Sequence, residues 1–170
     1  MIEKIDRYYL EIFPSSDFNQ KLKPSNDLEL ELVEPESFEL NKFFYKQVGK
    51  KYQWIDRLAW ETKDWIRYTS NRNLKTFILK NKNDLIGYFE LILNLNNQEC
   101  EIAYFGILEE YFNKGFGGYM LSEAIKNSFK LGSKRTWVHT CSLDHPHAIK
   151  NYKSRGMNIF KKEILQRKAV

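Results

Sequence analysis

Three glycines within four residues, Gly115, Gly117 and Gly118, carry the most specific chemistry in the sequence. They follow an apolar, aromatic run, EIAYFGIL (101–108), that reads as a buried strand. They precede YMLSEAIKNSFKL, where Met120, Leu121, Ala124, Ile125, Ser128 and Leu131 recur at helical spacing and share one face. A glycine-rich turn that opens a helix leaves backbone N–H groups unpaired at the positive end of the helix dipole, which favours an anion. Without Cβ atoms, the glycines let a pyrophosphate approach the backbone. The same residues also suit a plain strand-to-helix turn. They do not form the dinucleotide fingerprint, which needs Gly-x-Gly-x-x-Gly and an acidic residue after the next strand. Nor do they form the P-loop, which ends in Gly-Lys-Ser/Thr.

Other side chains offer less. Glu90 sits among apolar residues in GYFELIL, where a carboxylate suits a general base and equally a structural hydrogen-bond acceptor. His139 lies between Val138 and Thr140 and reads as a core histidine. His145 and His147 flank a helix start, and no further ligands suggest a metal site. Cys100 and Cys141 stand in separate apolar segments without a Cys-x-x-Cys, which reads as reduced thiols in an intracellular, cytoplasmic protein.

The elements that must position these groups follow from periodicity. The 170 residues, 42% hydrophobic and 15% aromatic, suit one domain with a sizeable core. No apolar run approaches a membrane span of roughly 20 residues, and the N-terminus lacks the apolar region of a signal peptide. The net charge of +5 comes from lysines interspersed with acids. That pattern suits a solvated surface and an anionic cofactor, whereas no basic stripe or known module points to nucleic acid. IDRYYLEIF reads as a strand and 14–27 as loop. LELELVEP (28–35) is a half-buried strand, and from Ser37 the spacing of Phe38, Leu40, Phe43, Phe44 and Val48 predicts a helix capped by Gly49. Thr62 is placed to cap a helix carrying Trp65, Ile66 and Tyr68. LKTFILKNKNDLIGYFELIL is a hairpin turning at 80–84, with a second turn at 94–98 before the glycine-loop strand. RTWVHTC follows a helical crossover and should lie parallel to that strand. A closing strand is expected over 157–165. Antiparallel strands followed by strand-helix-strand-helix predict an α/β fold with a mixed sheet and helices on both faces.

Two segments resemble motifs of the GNAT superfamily, the GCN5-related N-acetyltransferases. Phe112-Asn113-Lys114-Gly115-Phe116-Gly117 is similar to motif A, Arg/Gln-x-x-Gly-x-Gly/Ala, with Phe112 in place of Arg or Gln. His145, Ala148, Tyr152, Gly156 and Met157 fall on motif B, Asn-x-x-Ala-x-x-x-Tyr-x-x-x-Gly-Phe, with His145 for Asn and Met157 for Phe. Motif A then spans about 101–131 and motif B about 135–157 of one GNAT-like domain, with 1–27 as an N-terminal extension.

The resemblance implies a mostly antiparallel sheet with two splayed parallel strands, Gly106 suiting the bulge that begins the splay. It implies acetyl-CoA as co-substrate. Backbone groups of Ile107 and Leu108 would hold pantetheine, and residues from Phe112 and Asn113 through Lys114, Gly115, Phe116, Gly117 and Gly118 to Tyr119, with His145, would hold the pyrophosphate. Lys114 could replace the charge missing at Phe112. Tyr152 would be the general acid for the departing thiolate and Glu101 the base, with Glu90 as its rival. Trp54, Arg57 and Tyr104 would line the acceptor site, with Arg57 or Asp56 reading a charged group. The expected activity is acetyl transfer to a primary amine of a small or amino acid-like molecule. Alternatives are a non-catalytic acyl-CoA-binding module and a protein lysine or N-terminal acetyltransferase. A homodimer is common in the family.

Overall fold

Seven strands make one sheet in the order β2-β3-β4-β5-β6-β1-β7 in the computed structural model, which describes residues 1–168. In chain order the elements are β1 (Ile2–Ile12), β2 (Leu28–Leu32), α1 (Phe38–Gly49), α2 (Thr62–Thr69), β3 (Leu74–Asn81), β4 (Asp84–Asn94), β5 (Glu99–Ile107), α3 (Phe116–Lys130), β6 (Arg135–Cys141), α4 (Ala148–Ser154) and β7 (Asn158–Lys168). Every neighbouring pair is antiparallel except β5 and β6. The meander β3-β4-β5 follows the sequence reading, with Asn81 paired to Asp84 across a turn tighter than 80–84.

Alternation along the strands divides the apolar residues between two faces. Leu79, Phe89, Leu91 and Ile102 pack with Met120, Leu121, Ala124 and Ile125 of α3 on one face. Ile78 and Tyr88 meet Phe44 and Val48 of α1 on the other. Leu131, expected on the buried face of α3, lies just beyond the helix and is 37% exposed. Asp64 and Glu61 form a reciprocal capping box at the start of α2, so Glu61 rather than Thr62 is the cap. The helix of motif B begins at Ala148, two residues after Pro146.

IDRYYLEIF, read as a strand within the N-terminal segment, is part of β1, which pairs with β6 on one edge and β7 on the other and buries Leu10 and Ile12 completely. One feature departs from expectation. The bulge in β5 falls at Ala103, because Tyr104 opposes Glu90 while Ile102 opposes Leu91. Gly106 instead stays in register with Tyr88, and a Cβ there would stand 2.2 Å from Val48 Cγ1. It is glycine so that α1 can approach the sheet.

Gly156 is held by the fold in another way. Its φ is +104°, and a Cβ would stand 2.1 Å from the carbonyl oxygen of Asp17. Gly156→Ala should therefore destabilise the protein by about 1–3 kcal/mol or more through strain and crowding. Urea denaturation checks this, and an unchanged midpoint would contradict the packing.

Candidate active site

β5 and β6 are paired only where Glu99–Glu101 meets Arg135–Trp137, and beyond that point they separate. The gap opens a cavity of about 880 Å³ walled by both strands, the glycine loop, α4 and the connection between α1 and α2. Backbone parity decides what β5 presents to it. Leu108 N–H donates to the Ile86 carbonyl at 2.8 Å. Alternation in an antiparallel ladder then turns Gly106 towards β4 as well, and turns the N–H and C=O of Phe105 and Ile107 to the open edge. Ile107 is thus placed as expected. Leu108 is not, because its N–H is already used; Phe105 takes its place.

The glycine loop adopts the conformation its residues allow. Asn113 has φ +61° and Gly115, the residue before α3, has φ +78°. Gly117 is not required by the protein's own packing, since a Cβ there would meet only Asn151 Nδ2 at 3.8 Å. Gly117→Asp should leave folding stability unchanged or raise it by about 0.3–1 kcal/mol, as an acid in the first helical turn. It should weaken the acetyl-CoA that the motif resemblance implies, by crowding and charge. Thermal melts and titration together check this, and undiminished affinity would mean that no phosphate sits at the loop.

The two motif departures touch each other. Phe112 packs edge-to-face on His145 at 5.1 Å, and both rings line the cavity. Lys114 lies over the Tyr111 ring at 5.6 Å and is exposed, away from the cavity wall. Tyr119 is buried against the α3 core, so its side chain faces away from the loop.

Trp54 and Tyr104, expected at an acceptor site, meet edge-to-face at 4.8 Å and both face the cavity, beside Asp56. Arg57 and Glu90 do not. Glu90 is fully buried and accepts hydrogen bonds from Asn41 Nδ2 at 2.8 Å, Tyr68 Oη at 2.5 Å and Arg57 Nη1 at 3.2 Å. The Arg57 guanidinium lies 3.9 Å from the Tyr68 ring centroid and 4.2 Å from that of Tyr104. Burial disfavours its charge, but Glu90, Tyr68 and Tyr104 outweigh burial and hold its pKa above the ordinary arginine value. The pair is therefore a buried structural unit behind Trp54 and Tyr104. Glu90 is saturated as an acceptor, since Arg57 Nη1 also lies 3.3 Å from its second oxygen.

Tyr152 is 6% exposed and lines the cavity, with its ring 6.5 Å from that of Phe105. Burial first, and the Asp144 carboxylate second, push the phenol well above its ordinary pKa, so it is protonated at neutral pH. Glu101 stands where the splay begins, opposite Trp137, on the face away from α3 and behind the cavity wall. Burial raises its pKa, Arg57 opposes and Glu90 adds. His139, read as a core histidine, is on the cavity wall, and burial together with Arg7 lowers its pKa.

Asp144 gave no signal in the sequence. It orders the end of β6 by accepting from Thr140 Oγ1 at 2.6 Å, Cys141 N at 3.0 Å and Trp54 Nε1 at 3.4 Å. Among the described residues no group of three His, Cys, Asp or Glu side chains is placed to hold a metal ion, and no helix is long and apolar enough to cross a membrane.

A splayed parallel pair with a glycine loop at the head of the crossover helix defines a known class of fold. The family model for the Acetyltransferase (GNAT) family matches residues 35–157, and the chain belongs to that family. Solved structures share the fold at low identity. A GCN5-related N-acetyltransferase from Sphaerobacter thermophilus superposes with a TM-score of 0.72 at 14% identity, over 96% of this chain and 51% of the other. An aminoglycoside acetyltransferase from an uncultured soil metagenomic sample, in complex with trehalose, gives 0.65 at 12% identity, over 78% and 90%. A Bacillus subtilis acetyltransferase in complex with CoA gives 0.57 at 22% identity, over 76% and 75%. The chain spans about half the length of the Sphaerobacter protein. No curated protein matches it.

Proposed function

We propose that the protein is an acetyl-CoA-dependent N-acetyltransferase acting on a primary amine of a small molecule. One observation carries this reading: the open backbone edge of Phe105 and Ile107, the N-terminus of α3 and the Tyr152 side chain all meet one cavity. Those residues fit a thioester carried on a pantetheine arm. Phe105 and Ile107 offer strand-like partners to its amides, and the first turn of α3 offers N–H groups to its phosphates. The acetyl group, once bound, supplies the electrophile.

Positioning supplies much of the rate. Trp54 and Tyr104 wall the acceptor against β5, and Asp56 offers a carboxylate to its ammonium. Glu101 takes the amine proton through a water, since it lies behind the cavity wall. Tyr152 holds the proton that the departing thiolate needs. Aminoglycosides belong among the amines to try because the fold relatives include aminoglycoside acetyltransferases.

Thiol release from acetyl-CoA across a panel of small amines tests the activity, with peptides as the comparison. Turnover of at least one small amine is expected; turnover of peptides alone would overturn the acceptor class.

The raised pKa of Glu101 sets the acid limb of the rate profile. Its carboxyl stays protonated to a higher pH than an ordinary glutamate, and only the ionised form accepts a proton. Activity should thus rise with pH across a range above the ordinary carboxylate pKa, and Glu101→Gln should remove that limb. A limb that survives Glu101→Gln and disappears in His139→Gln would move the role to His139.

A further inference from the structure

The glycine loop lacks nearby charge, since Phe112 is apolar and Lys114 turns over Tyr111. Two cations reach it from elsewhere in the chain. Lys21 Nζ lies 3.3 Å from the position a Cβ would take on Gly115. The Lys21 stem and Arg155 Nη1 lie 2.5 and 2.7 Å from that position on Gly118. We propose that residues 13–27 form a phosphate-binding strap, in which Lys21, together with Arg155 after α4, supplies the cationic side chains for a phosphate of the nucleotide co-substrate. This rests on the acetyl-CoA reading above.

The strap is fixed rather than draped. Asn19 N donates to the Arg155 carbonyl at 3.0 Å, and Asn19 Nδ2 donates to that of Ser154 at 2.9 Å. Lys21 N donates to Ser122 Oγ at 2.8 Å, and that hydroxyl donates in turn to the Gly118 carbonyl at 2.9 Å. Phe18 packs on the α3 core, and the Asp17 carbonyl covers Gly156. These contacts carry the Lys21 side chain to the first turn of α3.

Neither cation has a carboxylate partner among the described residues. Arg155 is only 9% exposed, and its Nε has no hydrogen-bond partner. A guanidinium so placed is costly unless something pairs with it. An anion at the α3 N-terminus would meet the backbone N–H groups from one side and these two side chains from the other. Arginine and lysine are the residues that bind phosphate most strongly.

The test compares wild type, Lys21→Gln, Lys21→Arg and Arg155→Met in titrations with acetyl-CoA, its 3′-dephospho form and inorganic pyrophosphate. Lys21 is exposed, so its variants leave the fold intact. Lys21→Gln should weaken acetyl-CoA about 10-fold, Lys21→Arg should restore most of that, and Arg155→Met should weaken it in the same direction as Lys21→Gln. A penalty that vanishes with the dephospho form assigns Lys21 to the ribose phosphate; one that persists, and appears with pyrophosphate, assigns it to the diphosphate. If wild type and Lys21→Gln bind acetyl-CoA equally, the strap has no such role and the co-substrate reading stands. If wild type binds neither acetyl-CoA nor pyrophosphate, both fall.

Discussion

Tyr152→Phe should lower turnover by about 10²–10⁴-fold, the range of a general acid or base. Acetyl-CoA affinity should hold. The loss falls on the chemical step because the substitution removes one oxygen from a ring whose packing against Phe105 and the core is otherwise kept. No protein group relies on that hydroxyl among the described residues, so the variant leaves no orphaned partner and should fold as the wild type does. The phenol is protonated at neutral pH, as a proton donor must be, and burial raises its pKa further. Single-turnover thiol release with saturating amine, beside a binding isotherm, separates the two quantities. Unchanged turnover would remove Tyr152 from the mechanism. A parallel loss of affinity would make it a binding residue instead.

Arg57→Ala should destabilise the fold by about 3–5 kcal/mol, the range for removing one partner of a buried ion pair. Glu90 is fully buried, and Asn41 and Tyr68 alone would be left to hold its charge. The guanidinium also fills the space between the Tyr68, Tyr104 and Trp60 rings, so its removal opens a void in the aromatic layer. Chemical denaturation measures the effect. Replacing both partners together, Arg57→Met with Glu90→Leu, should recover much of the loss, because two apolar side chains leave no uncompensated charge. A double variant as unstable as the sum of the singles would mean that the aromatic packing, not the pairing, is what matters. Neither change touches the cavity wall directly.

The parts of this fold that depend on local pattern were legible in the sequence. Alternation in LKTFILK and DLIGYFELIL located the β3–β4 hairpin, and the spacing of Phe44 and Val48 located α1. The glycine loop fell where residue type puts it, and the motif B helix where the resemblance puts it. What was not legible was decided by distant partners. IDRYYLEIF reads as a strand and is one, but nothing in it says that both edges of β1 are taken, one by β6 and one by β7. Glu90 among apolar residues suited a base and a structural acceptor equally, and local sequence could not choose between them. Its three donors come from α1, α2 and the connection between them, which no local reading assembles. Phe105, not Leu108, joins Ile107 at the gap because the register of β4 against β5 decides which N–H groups face it. Lys21 is one lysine among many, and only the path of residues 13–27 across α3 sets it apart.

The central claim is that the cavity between β5 and β6 holds acetyl-CoA. Calorimetric titration of the wild-type chain with acetyl-CoA, with NADH as the comparison nucleotide, tests it most directly. Saturable binding of one acetyl-CoA per chain, without binding of NADH, is the predicted result. No heat at millimolar acetyl-CoA would contradict it, and would leave the glycine loop as a turn between a strand and a helix.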